Sequence, residues 1–142
     1  MTRMARRLAG ALTLIPLVSV LVACSITSKA SGVPVPPVAA SPGQVAGVYL
    51  RAAVTGNCQL TAELTLPNTW NWCGGPQLLD YRSVRSPYYV PASEAGRNEE
   101  CVPFEMYTHG TSDHSLPAGW QPWGLCFVKT PVGWRLFDQG MG

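Results

Sequence analysis

Apolar positions follow different patterns in successive stretches of the chain, and each pattern predicts a different physical state. From Leu8 to Ala23 the residues are predominantly apolar, a run of about 16 that falls short of the roughly 20 needed for a helix to cross a bilayer. Residues 25 to 41, Ser-Ile-Thr-Ser-Lys-Ala-Ser-Gly-Val-Pro-Val-Pro-Pro-Val-Ala-Ala-Ser, carry no apolar period. They bury too little surface to offset their ordering entropy, and their prolines favour an extended, semi-stiff spacer. Residues 42 to 142 then show the periods of a folded domain, long enough for one modest core.

The domain opens on Ser41-Pro42-Gly43-Gln44, a hydroxyl N-cap, a proline at the first helical position and a glutamine placed for a capping box. Val45, Val48, Tyr49, Ala52 and Ala53 follow at i, i+3, i+4, i+7 and i+8, which predicts a helix burying that face and ending at Gly56, with Arg51 off the face. Asn57 caps a second short helix carrying Leu60 and Leu64, until Pro67 and the segment from Asn68 to Pro76 break the pattern. Beyond it, Leu78–Val84, Glu99–His109, Trp120–Lys129 and Gly133–Asp138 are rich in Tyr, Val, Phe and Trp and separated by Pro and Gly, which predicts an antiparallel meander. Val102, Phe104 and Met106 fall on one face of the second strand, and Cys101, Glu105, Tyr107 and His109 on the other. In the third, Leu125 and Phe127 oppose Cys126 and Val128. Pro103 has no amide to donate, so it belongs at an edge or beside a bulge. The predicted class is α+β, with N-terminal helices on an antiparallel sheet.

Charge and cysteine usage sharpen this. Arg3, Arg6 and Arg7 precede the first apolar run, and no acidic residue does. Without residues 1 to 23, seven Lys+Arg face eight Asp+Glu, a formal charge of −1. No basic cluster survives to attract nucleic acid. Setting Cys24 aside leaves Cys58, Cys73, Cys101 and Cys126, an even number suited to an oxidising compartment. Of the three pairings, Cys58–Cys73 and Cys101–Cys126 link neighbouring segments of the predicted fold, each worth about 3 kcal/mol in the chain-entropy account. A zinc site has no Cys-x-x-Cys pair to stand on, and neither His109 nor His114 is spaced like a finger ligand.

The basic start, the apolar run and Leu21-Val22-Ala23-Cys24 together resemble a bacterial lipoprotein precursor. The resemblance implies a signal peptide over residues 1–23, a lipidated Pro/Ser-rich linker over 24–41 and a domain over 42–142. It also implies a thioether-linked lipid on Cys24 and attachment to the extracytoplasmic face of the cell membrane. A tether of two or three acyl chains is lasting, where one is not.

A second resemblance lies within the domain. The stretch from Val45 to Cys58, then Trp72-Cys73 and finally Gly133-Trp134-Arg135-Leu136 look like exported actinobacterial proteins with a nuclear-transport-factor-2-like, or SnoaL-like, fold. That resemblance implies a curved sheet wrapped as a cone around the helices with a pocket at its open end. The third helix usual in such folds is expected to be reduced to the Gly/Pro-rich residues 74–77.

That fold carries enzymes and inert modules alike. An isomerase or cyclase needs a carboxylate or histidine base in an apolar pocket with a Tyr or acid donor. The candidates are Asp80, His109 and Tyr49, with Asp138 near the C-terminal end among glycines. Asp80 and Tyr81 face opposite sides of a strand, Asp80 is expected in solvent or paired with Arg82, and Tyr49 is expected to pack on the helical face. His109, Asp113 and His114 are potential ligands within one polar connection, read as a solvated hairpin loop rather than a metal site. Trp134 is expected inside, whereas Trp120 and Trp123, flanked by Pro and Gly, are expected to line a groove or rim. The expectation is a membrane-anchored, non-catalytic module for an unidentified ligand or envelope protein, with no cofactor and no resident metal. A small-molecule isomerase or cyclase is the alternative.

Overall fold

Ser41 fixes the entry to the first helix. In the computed structural model, which describes residues 32–141, the Ser41 hydroxyl accepts from the Gln44 amide at 3.3 Å, and the Gln44 side chain accepts from the Ser41 amide at 2.8 Å. Helix α1 then spans Pro42–Val54. Its buried residues are Val45, Ala46, Tyr49, Leu50, Ala52 and Ala53, with Val48 only partly covered. The face is therefore wider than the predicted stripe and turned towards Leu50, because α1 is covered both by the second helix and by the sheet. Helix α2, Cys58–Glu63, starts where the Asn57 carboxamide accepts from the Leu60 amide at 3.2 Å. The expected signal peptide, residues 1–23, and Cys24 lie outside the described residues. No helix among the described residues is long and apolar enough to cross a membrane.

Strands β1 (Leu78–Arg82), β2 (Tyr88–Val90), β3 (Glu99–Thr108), β4 (Gly119–Thr130) and β5 (Gly133–Gly140) form one curved, unclosed antiparallel sheet. Its order is β1-β3-β4-β5, with β2 also on β3. The first strand stops two residues short of the predicted Val84, since Ser83 takes φ +54° and turns the chain off the ladder. Strand β2 and a one-turn helix α3, Ala92–Ala95, add to the elements that the sequence pattern predicts. A three-residue strand between Pro87 and Pro91 carries no period of its own and exists by pairing with β3. Residues 74–77, between α2 and β1, form no helix, and the one-turn α3 after β2 ends at Gly96 in the left-handed region.

Pro103 sits in the middle of the sheet without breaking it. Its carbonyl accepts from the Arg85 amide at 2.8 Å, so its backbone edge faces the gap between β1 and β2, where no strand requires the missing N–H. Towards β4 it occupies a non-hydrogen-bonded position opposite Gly124. The other rim is closed differently. Leu66 donates to the Leu136 carbonyl and Leu136 to the Leu64 carbonyl, both at 2.8 Å, so the chain leaving α2 runs along the outer edge of β5 and satisfies groups that an edge strand would leave open.

Between helices and sheet lie Tyr49, Leu50, Leu64, Leu78, Val102, Met106, Leu125, Phe127 and Leu136, all sealed from solvent. The residues before Ser41 join this body in part. Ala40 is buried, Val33 packs against the core, and the Lys129 ammonium donates to the Val38 carbonyl at 3.0 Å. The described end of the expected spacer, residues 33–40, is thus seated on the domain, where apolar contacts and a charged donor hold it.

Leu50→Ala is expected to lower the unfolding free energy by about 3 kcal/mol, and Val48→Ala by about 1 kcal/mol or less. Urea denaturation of the two variants beside the parent checks this; equal losses would place the helix face where the sequence period alone put it.

Candidate functional site

Asp80 is exposed on β1, and its carboxylate accepts from the following amide, that of Tyr81, at 2.8 Å. Of its two expected settings, solvent or a pair with Arg82, Asp80 takes the first, because Arg82 pairs with Glu105 across the β1–β3 ladder, Nε to Oε2 at 2.6 Å. Direct cross-strand opposition brings these two groups together, whereas Asp80 follows a bulge that shifts its register. The Arg82 hydrogen bond, and then that of Ser83, hold the Glu105 carboxyl below its usual range. His109 and Asp138 are exposed. Tyr49 is fully enclosed; burial pushes its phenol well above the ordinary value, against the smaller opposing effect of the Thr65 hydroxyl, which donates to it at 3.4 Å. Asp80 and His109 at the surface and Tyr49 inside do not converge on one cavity.

The loop 109–118 spends its polar groups on itself. Asp113 accepts from the Ser115 amide at 3.1 Å and hydroxyl at 2.8 Å. Hydrogen bonding from Thr111, then Ser115, holds its carboxyl down at about 2. His109, Asp113 and His114 do not bring three ligand atoms together. Among the described residues the group that does is Glu99, Cys101 and Cys126, within 4.8 Å of one another. Its two sulfurs are bonded to each other, because both predicted disulfides, Cys58–Cys73 and Cys101–Cys126, are present. Glu99 was not among the sequence candidates. Its spacing of two from Cys101 on a strand was the available signal, since it sets both side chains on one face.

Trp120 and Trp123 do not share a rim. They are three apart on β4 and so occupy opposite faces. Trp120 lies opposite Tyr107 on the outer face, with that ring at 5.3 Å and the Arg82 guanidinium 4.1 Å above its own ring. Trp123, opposite Phe104, joins Trp72 edge-to-face at 6.2 Å, and Trp72 in turn meets Trp70 at 4.2 Å. Trp134 is partly buried beside the core, under the Lys129 ammonium at 5.2 Å.

The segment 66–77 supplies Trp70 and Trp72 and is pinned from both sides. Cys73 is cross-linked to α2 through Cys58, the Trp72 indole donates to the Gln139 side chain at 2.7 Å, and the Thr69 hydroxyl donates to the Phe137 carbonyl at 3.0 Å. Trp72 is buried, whereas Trp70 stands at the surface. Two open hollows flank Trp70 and Trp123: one of about 210 Å³ bounded also by Leu116 and Pro76, and one of about 380 Å³ bounded by Phe137 and Gln139. The Trp123 indole N–H is buried there without a hydrogen-bond partner. The rings of Trp70 and Trp123, rather than that covered N–H, are what line the two hollows. Trp123 is a candidate from the sequence alone, whereas the place of Trp70 depends on the fold-back along β5.

No protein-family profile, no curated protein and no solved structure matches this chain.

A spectrophotometric pH titration of the folded protein is expected to leave Tyr49 protonated where an ordinary tyrosine ionises. Because its folded value is raised, Tyr49 costs no stability below the unfolded value near 10 and destabilises the fold as pH rises beyond it. Tyr49→Phe is expected to leave the folded titration amplitude unchanged; a lost tyrosine transition in that variant would mean that the phenol reaches solvent.

Proposed function

We propose that the protein is a lipid-anchored envelope protein, held to the extracytoplasmic face of the cell membrane through Cys24. Its domain, of the nuclear-transport-factor-2-like cone type, serves as a non-catalytic module that binds a ligand or an envelope partner. One observation carries this reading: the helix-covered face of the sheet is filled by Tyr49, Leu50, Met106 and Phe127, while Trp70, Tyr88, Tyr89 and Trp120 remain exposed. A filled interior leaves no room to desolvate a substrate, and exposed aromatics on a rigid, disulfide-braced frame are the usual currency of recognition. An isomerase would require a base beside Tyr49, and Asp80, His109 and Asp138 all lie at the surface. The binding face favoured here is the Trp70–Trp123 platform, with carbohydrate of the cell wall as the ligand class that stacks on indole.

The anchor is tested by labelling cells with a palmitate analogue. The parent is expected to take up label and sediment with membranes and Cys24→Ala to do neither; an unlabelled parent contradicts the anchor. The platform is tested by following the indole N–H resonances during titration with soluble peptidoglycan fragments. Those of Trp70 and Trp123 are expected to move and that of Trp72 to stay, and Trp70→Ala to bind about tenfold more weakly. No movement at Trp70 or Trp123 contradicts the platform.

A further inference from the structure

Glu99 is the buried acid that the proposed binding role does not use. It is 3 % exposed, its Oε1 has no hydrogen-bond partner, and its Oε2 lies 3.7 Å from Cys101 Sγ. A carboxylate is expensive to cover without a partner. Among the described residues no cation pairs with it. The one ion pair among the described residues is Arg82–Glu105, and Arg97, two positions earlier, lies over the Phe137 ring at 4.9 Å. Val90 opposes it from β2, and from β5 the charged group facing it is Asp138, a like charge. Burial first, and Asp138 second, push the Glu99 carboxyl above its usual range. A disulfide sulfur has no proton to donate, so the contact with Cys101 is a hydrogen bond only while the carboxyl is protonated or while Cys101 is a thiol.

The two cysteine residues differ in exposure. Cys101 is 2 % exposed and lies against Glu99, whereas Cys126 is partly open to solvent. The β3–β4 ladder runs from Glu100–Phe127 to Thr108–Gly119 on either side of the pair and sets the Cα atoms 4.0 Å apart. Backbone pairing, not the S–S bond alone, therefore holds the cysteines together when reduced, so the bond can open and re-form without loss of the sheet.

We propose that Cys101, Cys126 and Glu99 form a thiol–disulfide exchange site that passes its disulfide to an external dithiol. A thiolate of the dithiol attacks Cys126 Sγ, forming a mixed disulfide and breaking the Cys101–Cys126 bond. The electron pair leaves on Cys101, and Glu99 gives that sulfur its proton. The second thiolate of the dithiol attacks its own sulfur in the mixed disulfide and releases Cys126 as a thiolate, which takes a proton from water. The dithiol is oxidised to a disulfide, the protein gains two cysteine thiols, and two electrons pass between them. Glu99 keeps the leaving thiolate from being stranded in a covered site, the task of a general acid.

Full-length protein is treated with dithiothreitol between pH 5 and 8, with glutathione used separately to trap the mixed disulfide, and the adducts are alkylated and peptide-mapped. Peptide mapping separates this bond from Cys58–Cys73. Expected are a glutathione adduct on Cys126 and opening of Cys101–Cys126 with the fluorescence of the folded state retained. The rate corrected for reagent thiolate should be about tenfold faster in the parent than in Glu99→Gln at pH 5, the two converging as Glu99 ionises. Glu99→Ala is expected to match Glu99→Gln, which separates proton donation from packing. Parallel pH profiles for the parent and both variants, an adduct on Cys101, or a bond that opens only on unfolding would overturn the proposal.

Discussion

The pairing of β3 with β4 in a single register is the constraint on which everything else rests. Nine Cα pairs join the two strands, from Glu100–Phe127 to Thr108–Gly119. Side chains alternate, so this register sends Val102, Phe104, Met106, Leu125 and Phe127 towards α1 and sends Cys101, Glu105, Tyr107, Trp120 and Cys126 away. A slip by one residue would expose the core row and separate the two sulfurs. The Cys101–Cys126 disulfide lies across this ladder and locks the same register covalently.

The rims of the sheet show how surface features follow from backbone accounting. On one side, Pro103 faces a gap between two short strands, and the interruption leaves Val84, Tyr88 and Tyr89 exposed. On the other, the chain after α2 covers the edge of β5 and carries Trp70 and Trp72 beside Trp123. The Cys58–Cys73 bond and the Trp72–Gln139 hydrogen bond keep that segment in place. The aromatic platform is thus a by-product of closing an edge, and its rigidity comes from the cross-links that closing needed.

Much of this was legible in the residues. The capping box at Ser41, the Gly56 stop, the four long strands and both cysteine pairings follow from short-range chemistry and alternation. What escaped depends on tertiary partners. Leu50 replaces Val48 as a core residue because α1 is covered from two sides. Strand β2 exists only against β3, and residues 33–40 acquire order only against the sheet. Arg82 chooses Glu105 across the ladder rather than Asp80 along its own strand. Trp120 and Trp123 look like neighbours in sequence, yet their odd spacing on a strand already places them on opposite faces. Glu99 could be set on the face of Cys101, but its burial depends on packing that no local pattern encodes.

Cross-strand Hα–Hα nuclear Overhauser effects measure the β3–β4 register directly. In the antiparallel non-hydrogen-bonded positions these protons approach closely, so strong cross-peaks are predicted for Cys101–Cys126 and Pro103–Gly124. Cross-peaks displaced by one residue, or their absence with the strands otherwise formed, would contradict the register and with it the placement of core, disulfide and tryptophans.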